Sequence, residues 1–178
     1  MRVNGVEKLT CITLIRSVTT DGGTVRVDPL RNFPIISDLA VDMSRLYVNN
    51  EATGQKSVIS CADEPSNPKL SQQEREAERD YIRLSDCIEC GLCVSACPVA
   101  TTSTTYLGPA ALAGAHQRGL ENEPELLRIV NSQDGVWRCH SAFECSAVCP
   151  SNVDPAARIM SLRRQIMVVQ VKNMFHRN

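Results

Sequence analysis

Aromatic residues are scarce. Phe, Tyr and Trp together make up 4 % of the 178 residues, with a single Trp. A core must therefore be built from Leu, Val, Ile and Ala within the 43 % hydrophobic content, with something other than large rings filling space. No stretch approaches the ~20 consecutive apolar residues of a membrane helix, which predicts a soluble or peripheral chain. Neither sign of charge dominates: the net charge is −1, so bulk charge argues for neither nucleic acid nor an acidic partner. The Met1 end lacks the basic and apolar regions of a signal peptide. The length accommodates one ordinary domain or two small ones.

Cysteine is abundant, at nine residues. An odd count and C-x2-C spacing argue against a secreted disulfide framework and for metal in a reducing compartment. Eight positions carry the pattern. Cys87, Cys90, Cys93 and Cys97 form one run; Cys139, Ala142, Cys145 and Cys149 form the second, each 52 residues on (87 to 139, 90 to 142, 93 to 145, 97 to 149). Pro98 and Pro150 follow directly, where a fixed φ stops a helix running back through the cysteine. The motif C-x2-C-x2-C-x3-C-P is thus written twice, with one sulfur missing from the second copy.

In such a run the first three thiolates surround one iron–sulfur cubane and the fourth ligates the other cluster. This predicts a 4Fe-4S cluster on Cys87, Cys90, Cys93 and Cys149. A second cluster falls to Cys97, Cys139 and Cys145. Its fourth corner is at Ala142, which has no donor atom, so this site is expected to hold 3Fe-4S at a higher potential. A structural zinc site is the competing reading, but it needs only four donors, not seven split four and three.

Along the chain, residues 1–48 read as β-rich. Arg2-Val3, the Asn4-Gly5 turn and Cys11–Ile15 suggest a hairpin, with Thr24–Val27 as a third strand ended by Pro29. Residues 49–70 read as a polar linker. Helical patterning starts at Ser71, where Glu74 completes a capping box, and runs to about Leu84. Further helices are expected from Pro109 to Gly119, from Pro124 to about Asn131, and from Pro155 onward. Asp154 caps the last, which turns Ile159, Leu162, Ile166 and Val169 to one side.

The chain resembles the iron–sulfur subunit of succinate dehydrogenase and fumarate reductase, the respiratory complex II family. The resemblance rests on residues 29–42 (Pro29-Leu30-Arg31-Asn32-Phe33-Pro34 through Asp42), on Cys87-Ile88-Glu89-Cys90-Gly91-Leu92-Cys93 through Pro98, and on Trp137-Arg138-Cys139-His140 through Ala156. Gly108–Ala111 and Asn131–Trp137 also fit. It implies an α+β chain: the remnant of a β-grasp plant-type ferredoxin domain over 1–48, a linker over 49–70, and an α-helical ferredoxin domain over 71–178. It implies the crossed cysteine allocation above. It also implies electron transfer between an FAD flavoprotein subunit and quinone, with membrane anchor subunits as further partners and no nucleic acid. The expected place is the cytoplasm, peripheral on the inner face of the cell membrane, or the matrix side in a mitochondrion.

A plant-type 2Fe-2S site uses C-x4-C-x2-C and a distant fourth cysteine. Cys11 matches the fourth alone, and Met1 falls just after the family's third. The expectation is a fragment, a mis-started product, or a site completed by a separate chain. Cys11 is then a ligand only in a longer parent and otherwise an idle small residue. Electron transfer from flavin to the four-iron site is expected to slow in its absence.

Cys61, outside both runs, reads as a free thiol. His140 matches a histidine that the family places near quinone and cluster; the plainer role is a hydrogen bond to sulfide or backbone. An imidazole with pKa near ~6.5 suits proton-coupled chemistry. The family's tryptophans after the first Cys-Pro are replaced by Val99, Ala100, Thr101 and Thr102, a departure at the quinone pocket. Trp137 reads as core or cluster packing. Arg158, Arg163, Arg164, Lys172 and Arg177 suggest either a solvated face or docking to an anchor or anionic lipid. Arg75, Arg79 and Arg83 read as a salt-bridged helix face. The rival functions are another two-cluster carrier, such as a heterodisulfide reductase small subunit, and a zinc-stabilised interaction module.

Overall fold

The computed structural model describes residues 1–54, 87–120 and 123–175. Its elements confirm an α+β chain. Strands β1 (Arg2–Val3), β2 (Val6–Glu7) and β3 (Val27–Asp28) make a small antiparallel sheet in the order β2-β1-β3. Strands β4 (Ile35–Ser37) and β5 (Ala40–Val41) pair separately. The Asn4-Gly5 turn forms as expected, because both residues take the positive φ that a tight hairpin demands (51° and 84°).

The partner strand across that turn is Val6–Glu7, not Cys11–Ile15. The latter run lies in turns and a 3-10 helix at Ile15–Ser17, with Ile12, Leu14 and Ile15 exposed. An apolar run with no facing sheet to cover it lacks the tertiary partner that a strand needs. The third strand is shifted to Val27–Asp28, in register with Arg2 and Val3.

Helix α1 (Ser44–Ala52) departs from the sequence pattern, and it makes residues 49–52, the start of the expected linker, helical. Asp42 Oδ1 accepts from the Ser44 backbone N–H at 2.9 Å and from its hydroxyl, an Asx turn that starts the helix. Leu46 and Asn50, one turn apart, are its buried positions. The expected helix over 71–84, Cys61, Arg75, Arg79 and Arg83 lie outside the described residues.

The remaining helices are α2 (Leu92–Ala96), α3 (Pro98–Thr102), α4 (Pro109–Arg118), α5 (Pro124–Val130), α6 (Glu144–Ala147) and α7 (Pro155–Phe175). The punctuation expected of Pro109, Gly119, Pro124 and Pro155 is met: each proline is the first residue of its helix and Gly119 follows α4. Asp154 Oδ1 accepts the Ala157 N–H and caps α7.

Helix α4 is the centre. Pro109 through Ala115 are all buried, and α4 packs against α7 and α1. Its Ala-Ala-Leu-Ala-Gly-Ala face lets neighbouring backbones approach closely. Ile159, Leu162 and Ile166 of α7 are completely buried against it, with Val169 half-buried. The core is aliphatic, as the composition required, and Tyr106 is its one fully buried ring among the described residues.

The sheet region is joined to the helices by polar bonds. Arg31 meets Glu7 at 2.8 Å, Ser95 Oγ donates to the same carboxylate at 3.0 Å, and the Arg31 N–H donates to Ser95 Oγ at 2.9 Å. Asn32 Nδ2 reaches the carbonyls of Val94, Ser95 and Cys97. These bonds close the C-terminal end of α2, whose last carbonyls have no partner within the helix.

Candidate metal centres

Each cysteine run is a loop that leads into a short helix. In the first, Glu89 and Gly91 take positive φ and α2 begins at Leu92. Gly91 is required twice over. Its φ is 73°, and an added Cβ would lie 2.8 Å from Met43 Cε and 3.1 Å from Phe33 Cζ. Helix α1 pins the same loop: Asn50 Nδ2 donates to Glu89 Oε1 at 2.9 Å.

The eight positions gather around two cavities. Cys87, Cys90, Cys93 and Cys149 line the first, with Leu46, Leu92, Ala110, Ala113 and Val153 among its apolar walls. Cys97, Cys139 and Cys145 line the second, together with Ala142, His140 and Tyr106. Cys11 is exposed and lines neither.

The thiols in these walls are costly to ionise. Burial, then the neighbouring Cys87, Cys90, Cys145 and Cys149, hold Cys93 well above the usual thiol range. Burial also raises Cys90, with Cys87 and Cys149 adding to it against backbone N–H bonds. In the second cavity Cys145 is pushed up to about 12, first by burial, then by Cys97 and Cys139. Cys97 rises by burial and by Cys139. Each thiol is thus raised first by burial and then by others around its own cavity, and Cys93 also senses Cys145, so the two sites adjoin. A multivalent cationic centre reverses this penalty, since it favours thiolate.

The donor set fits such a group. Backbone amides already point at sulfur: Val153 N–H at Cys149 Sγ and Ser141 N–H at Cys139 Sγ, both 3.4 Å. Among the described residues, no three His, Cys, Asp or Glu side chains converge on a point that could hold one metal ion. A tetrahedral zinc site requires that convergence. A cubane instead takes one thiolate at each of several irons spread around the cavity.

Two residues that hold the second run were not found from the sequence. Arg163 of α7 donates to the carbonyls of Val136 and Cys139 and to Ser141 Oγ, and it stacks 5.9 Å over the Trp137 ring. It is therefore tied inside the molecule and is not part of a free cationic face. Trp137 is 43 % exposed and donates to Asn131 Oδ1 at 2.7 Å, so it is a surface brace and not core. The signal for Arg163 was its place one turn from Ile159 on the buried side of α7. Tyr106 was also missed; it is 1 % exposed and its hydroxyl has no hydrogen bond of full geometry. His140 and Ala142 are exposed at the rim of the second cavity. Lys172 and Arg177 have no described side chains.

Comparisons with known proteins point to the same class of cofactor. Residues 83–153 match a 4Fe-4S dicluster domain, and residues 1–48 match a 2Fe-2S iron–sulfur cluster binding domain. The fumarate reductase iron–sulfur subunit of Haemophilus influenzae is 36 % identical over 173 residues, covering 89 % of this chain and 66 % of that protein. The Escherichia coli fumarate reductase iron–sulfur subunit is 39 % identical over 165 residues, covering 89 % and 65 %. The chain thus spans just under two thirds of these two relatives. The succinate dehydrogenase iron–sulfur subunit of Coxiella burnetii is 30 % identical over 172 residues, covering 94 % of this chain and 71 % of the relative. A chain of the Mycobacterium smegmatis Sdh1 complex in the apo form shares the fold, with a TM-score of 0.67 at 22 % identity, over 92 % of this chain and 70 % of that one. With its paired cysteine runs and this relatedness over most of its length, the chain belongs to the family of succinate dehydrogenase and fumarate reductase iron–sulfur subunits.

Proposed function

We propose that this chain is the electron-transfer subunit of a succinate:quinone oxidoreductase or fumarate reductase, carrying electrons between an FAD-containing flavoprotein and quinone. The observation that supports this most directly is the division of the cysteines between two adjoining cavities, four in one and three in the other. On this reading Cys87, Cys90, Cys93 and Cys149 hold a 4Fe-4S cluster. Cys97, Cys139 and Cys145 hold a 3Fe-4S cluster whose open corner is Ala142. When bound, such clusters supply one-electron acceptance and donation without bond chemistry on a substrate.

The chain's own residues do the rest. Leu46, Leu92 and Val153 line the four-cysteine site with apolar wall, and the Val153 and Ser141 amides stabilise negative sulfur. Arg163 fixes the loop carrying Cys139 by holding its carbonyl. His140, exposed at the three-cysteine rim, stands where quinone and a proton would meet. Residues 1–48 form the ferredoxin-like part, with a β-grasp ancestry, and Cys11 is the position of its distant 2Fe-2S ligand. Residues 49–70 link it to the helical domain over 71–178. No helix among the described residues is long and apolar enough to cross a membrane. We assign the subunit a peripheral place on the inner membrane face, docked to anchor subunits.

Anaerobic isolation, iron and acid-labile sulfide analysis, and electron paramagnetic resonance test the assignment. The expected result is a three-iron signal in the oxidised protein and a four-iron signal on reduction. Zinc without iron or sulfide, or no three-iron signal, would overturn it.

A further inference from the structure

Tyr106 is the least satisfied polar side chain at the second cavity. It is 1 % exposed, and its hydroxyl has no hydrogen bond of full geometry; the one side chain in hydrogen-bonding relation to it is Cys139. Its position is not loose. Arg45 Nη2 binds the Tyr106 carbonyl at 2.8 Å, and the next amide, Leu107 N–H, is held by the Asp134 carbonyl at 3.0 Å. A pinned, buried hydroxyl without a well-formed hydrogen bond is rare in native proteins and calls for an explanation.

The acceptor that the structure brings to it is sulfur, that of Cys139. Tyr106 lines the cavity with Cys97, Cys139 and Cys145. A phenol holds its proton at neutral pH, so the hydroxyl can act as a donor. Backbone amides act on sulfur in both cavities, on Cys90 and Cys149 in the first and on Cys97, Cys139 and Cys145 in the second, whereas no tyrosine lines the first.

We propose that the Tyr106 hydroxyl donates a hydrogen bond to the sulfur shell of the three-cysteine site and raises its reduction potential. This rests on the reading of that cavity as a three-iron site. A donor to sulfur stabilises the reduced state, which carries one more negative charge, more than the oxidised state. One electron enters on reduction and Tyr106 keeps its proton. The tyrosine therefore adds to the separation between the potentials of the two adjoining sites.

The test is a redox titration of the three-iron signal in the full chain, isolated anaerobically, with dithionite as reductant. Tyr106→Phe keeps the buried ring and removes the donor. The signal should persist, and its reduction equilibrium should fall roughly tenfold, which is about 59 mV for one electron. Replacing Tyr106 by 3-fluorotyrosine strengthens the donor and should move the midpoint upward. This second arm decides the matter if Tyr106→Phe assembles poorly. An unmoved midpoint in either variant with an intact signal overturns the proposal and leaves the cluster assignment standing. Absence of a three-iron signal in the unmodified chain removes the assignment and the proposal together.

Discussion

The two cysteine runs share a backbone and differ in their surroundings. Glu89 and Ser141, 52 residues apart, both take positive φ (53° and 57°), as do Gly91 and Phe143 (73° and 63°). The short helices that follow, Leu92–Ala96 and Glu144–Ala147, begin at the same offset. Between each left-handed pair sits Cys90 in one run and Ala142 in the other. Loss of a thiol has therefore not remodelled the loop. What differs is the cover. Met43 and Phe33 crowd the first loop, Asn50 binds it, and only glycine fits at 91. At the second loop His140, Ala142, Phe143 and Glu144 are exposed, and a phenylalanine occupies the left-handed position. The first run is an enclosed site and the second has an open rim.

The comparison can be broken at its ligands. Cys93 is the thiol that senses all the others of its cavity. Cys93→Ala should abolish the four-iron signal and leave the three-iron signal, both read by paramagnetic resonance. Simultaneous loss of both would make the runs one cooperative site. The shared backbone predicts a gain of function at the other corner. Ala142→Cys should replace the oxidised three-iron signal with a second reduced four-iron signal. A surviving three-iron signal would mean that the two loops are not equivalent.

Stability measurements sharpen the contrast in cover. Gly91→Ala combines a left-handed φ with a 2.8 Å contact to Met43. It should cost about 1–3 kcal/mol in denaturant unfolding. Phe143→Gly relieves left-handed strain but adds freedom to the unfolded chain. Stability should be unchanged or rise by less than about 1 kcal/mol. Equal losses at both positions would show that the second loop is covered after all.

The smallest effect lies in the contact that carries the cover. Burial raises the Glu7 carboxyl pKa, but hydrogen bonds from Arg31, its own backbone and Ser95, with the Arg31 charge, bring it below its ordinary value. A depressed folded pKa adds stability above the unfolded pKa and loses it as pH falls through the folded value. Arg31 is 48 % exposed, so screening limits the gain. Glu7→Gln should cost about 1 kcal/mol at neutral pH, and the difference should vanish in acid. A pH-independent difference would assign the effect to packing.

Much of the helical frame was legible in the chain, because Pro109, Pro124, Pro155, Gly119 and Asp154 act locally on their own backbone. The β part was read less well. Cys11–Ile15 has the composition of a strand but no neighbour to pair with, and α1 announces itself only through Asp42 and the Leu46–Asn50 spacing. Arg163 was misread as a surface cation because nothing in a one-dimensional pattern reveals which carbonyls wait opposite it.

The sequence by itself determined the repeat at 52 residues, the donor types, and the one position where a donor is missing. These follow from covalent chemistry and spacing along a single chain. Only the tertiary structure decided which thiols face a common cavity, which loop is covered, and that Tyr106 is buried at the wall of the three-cysteine cavity. Burial and electrostatic coupling arise between segments distant in sequence, and they exist only once α4 has brought α1, α7 and both cysteine loops together.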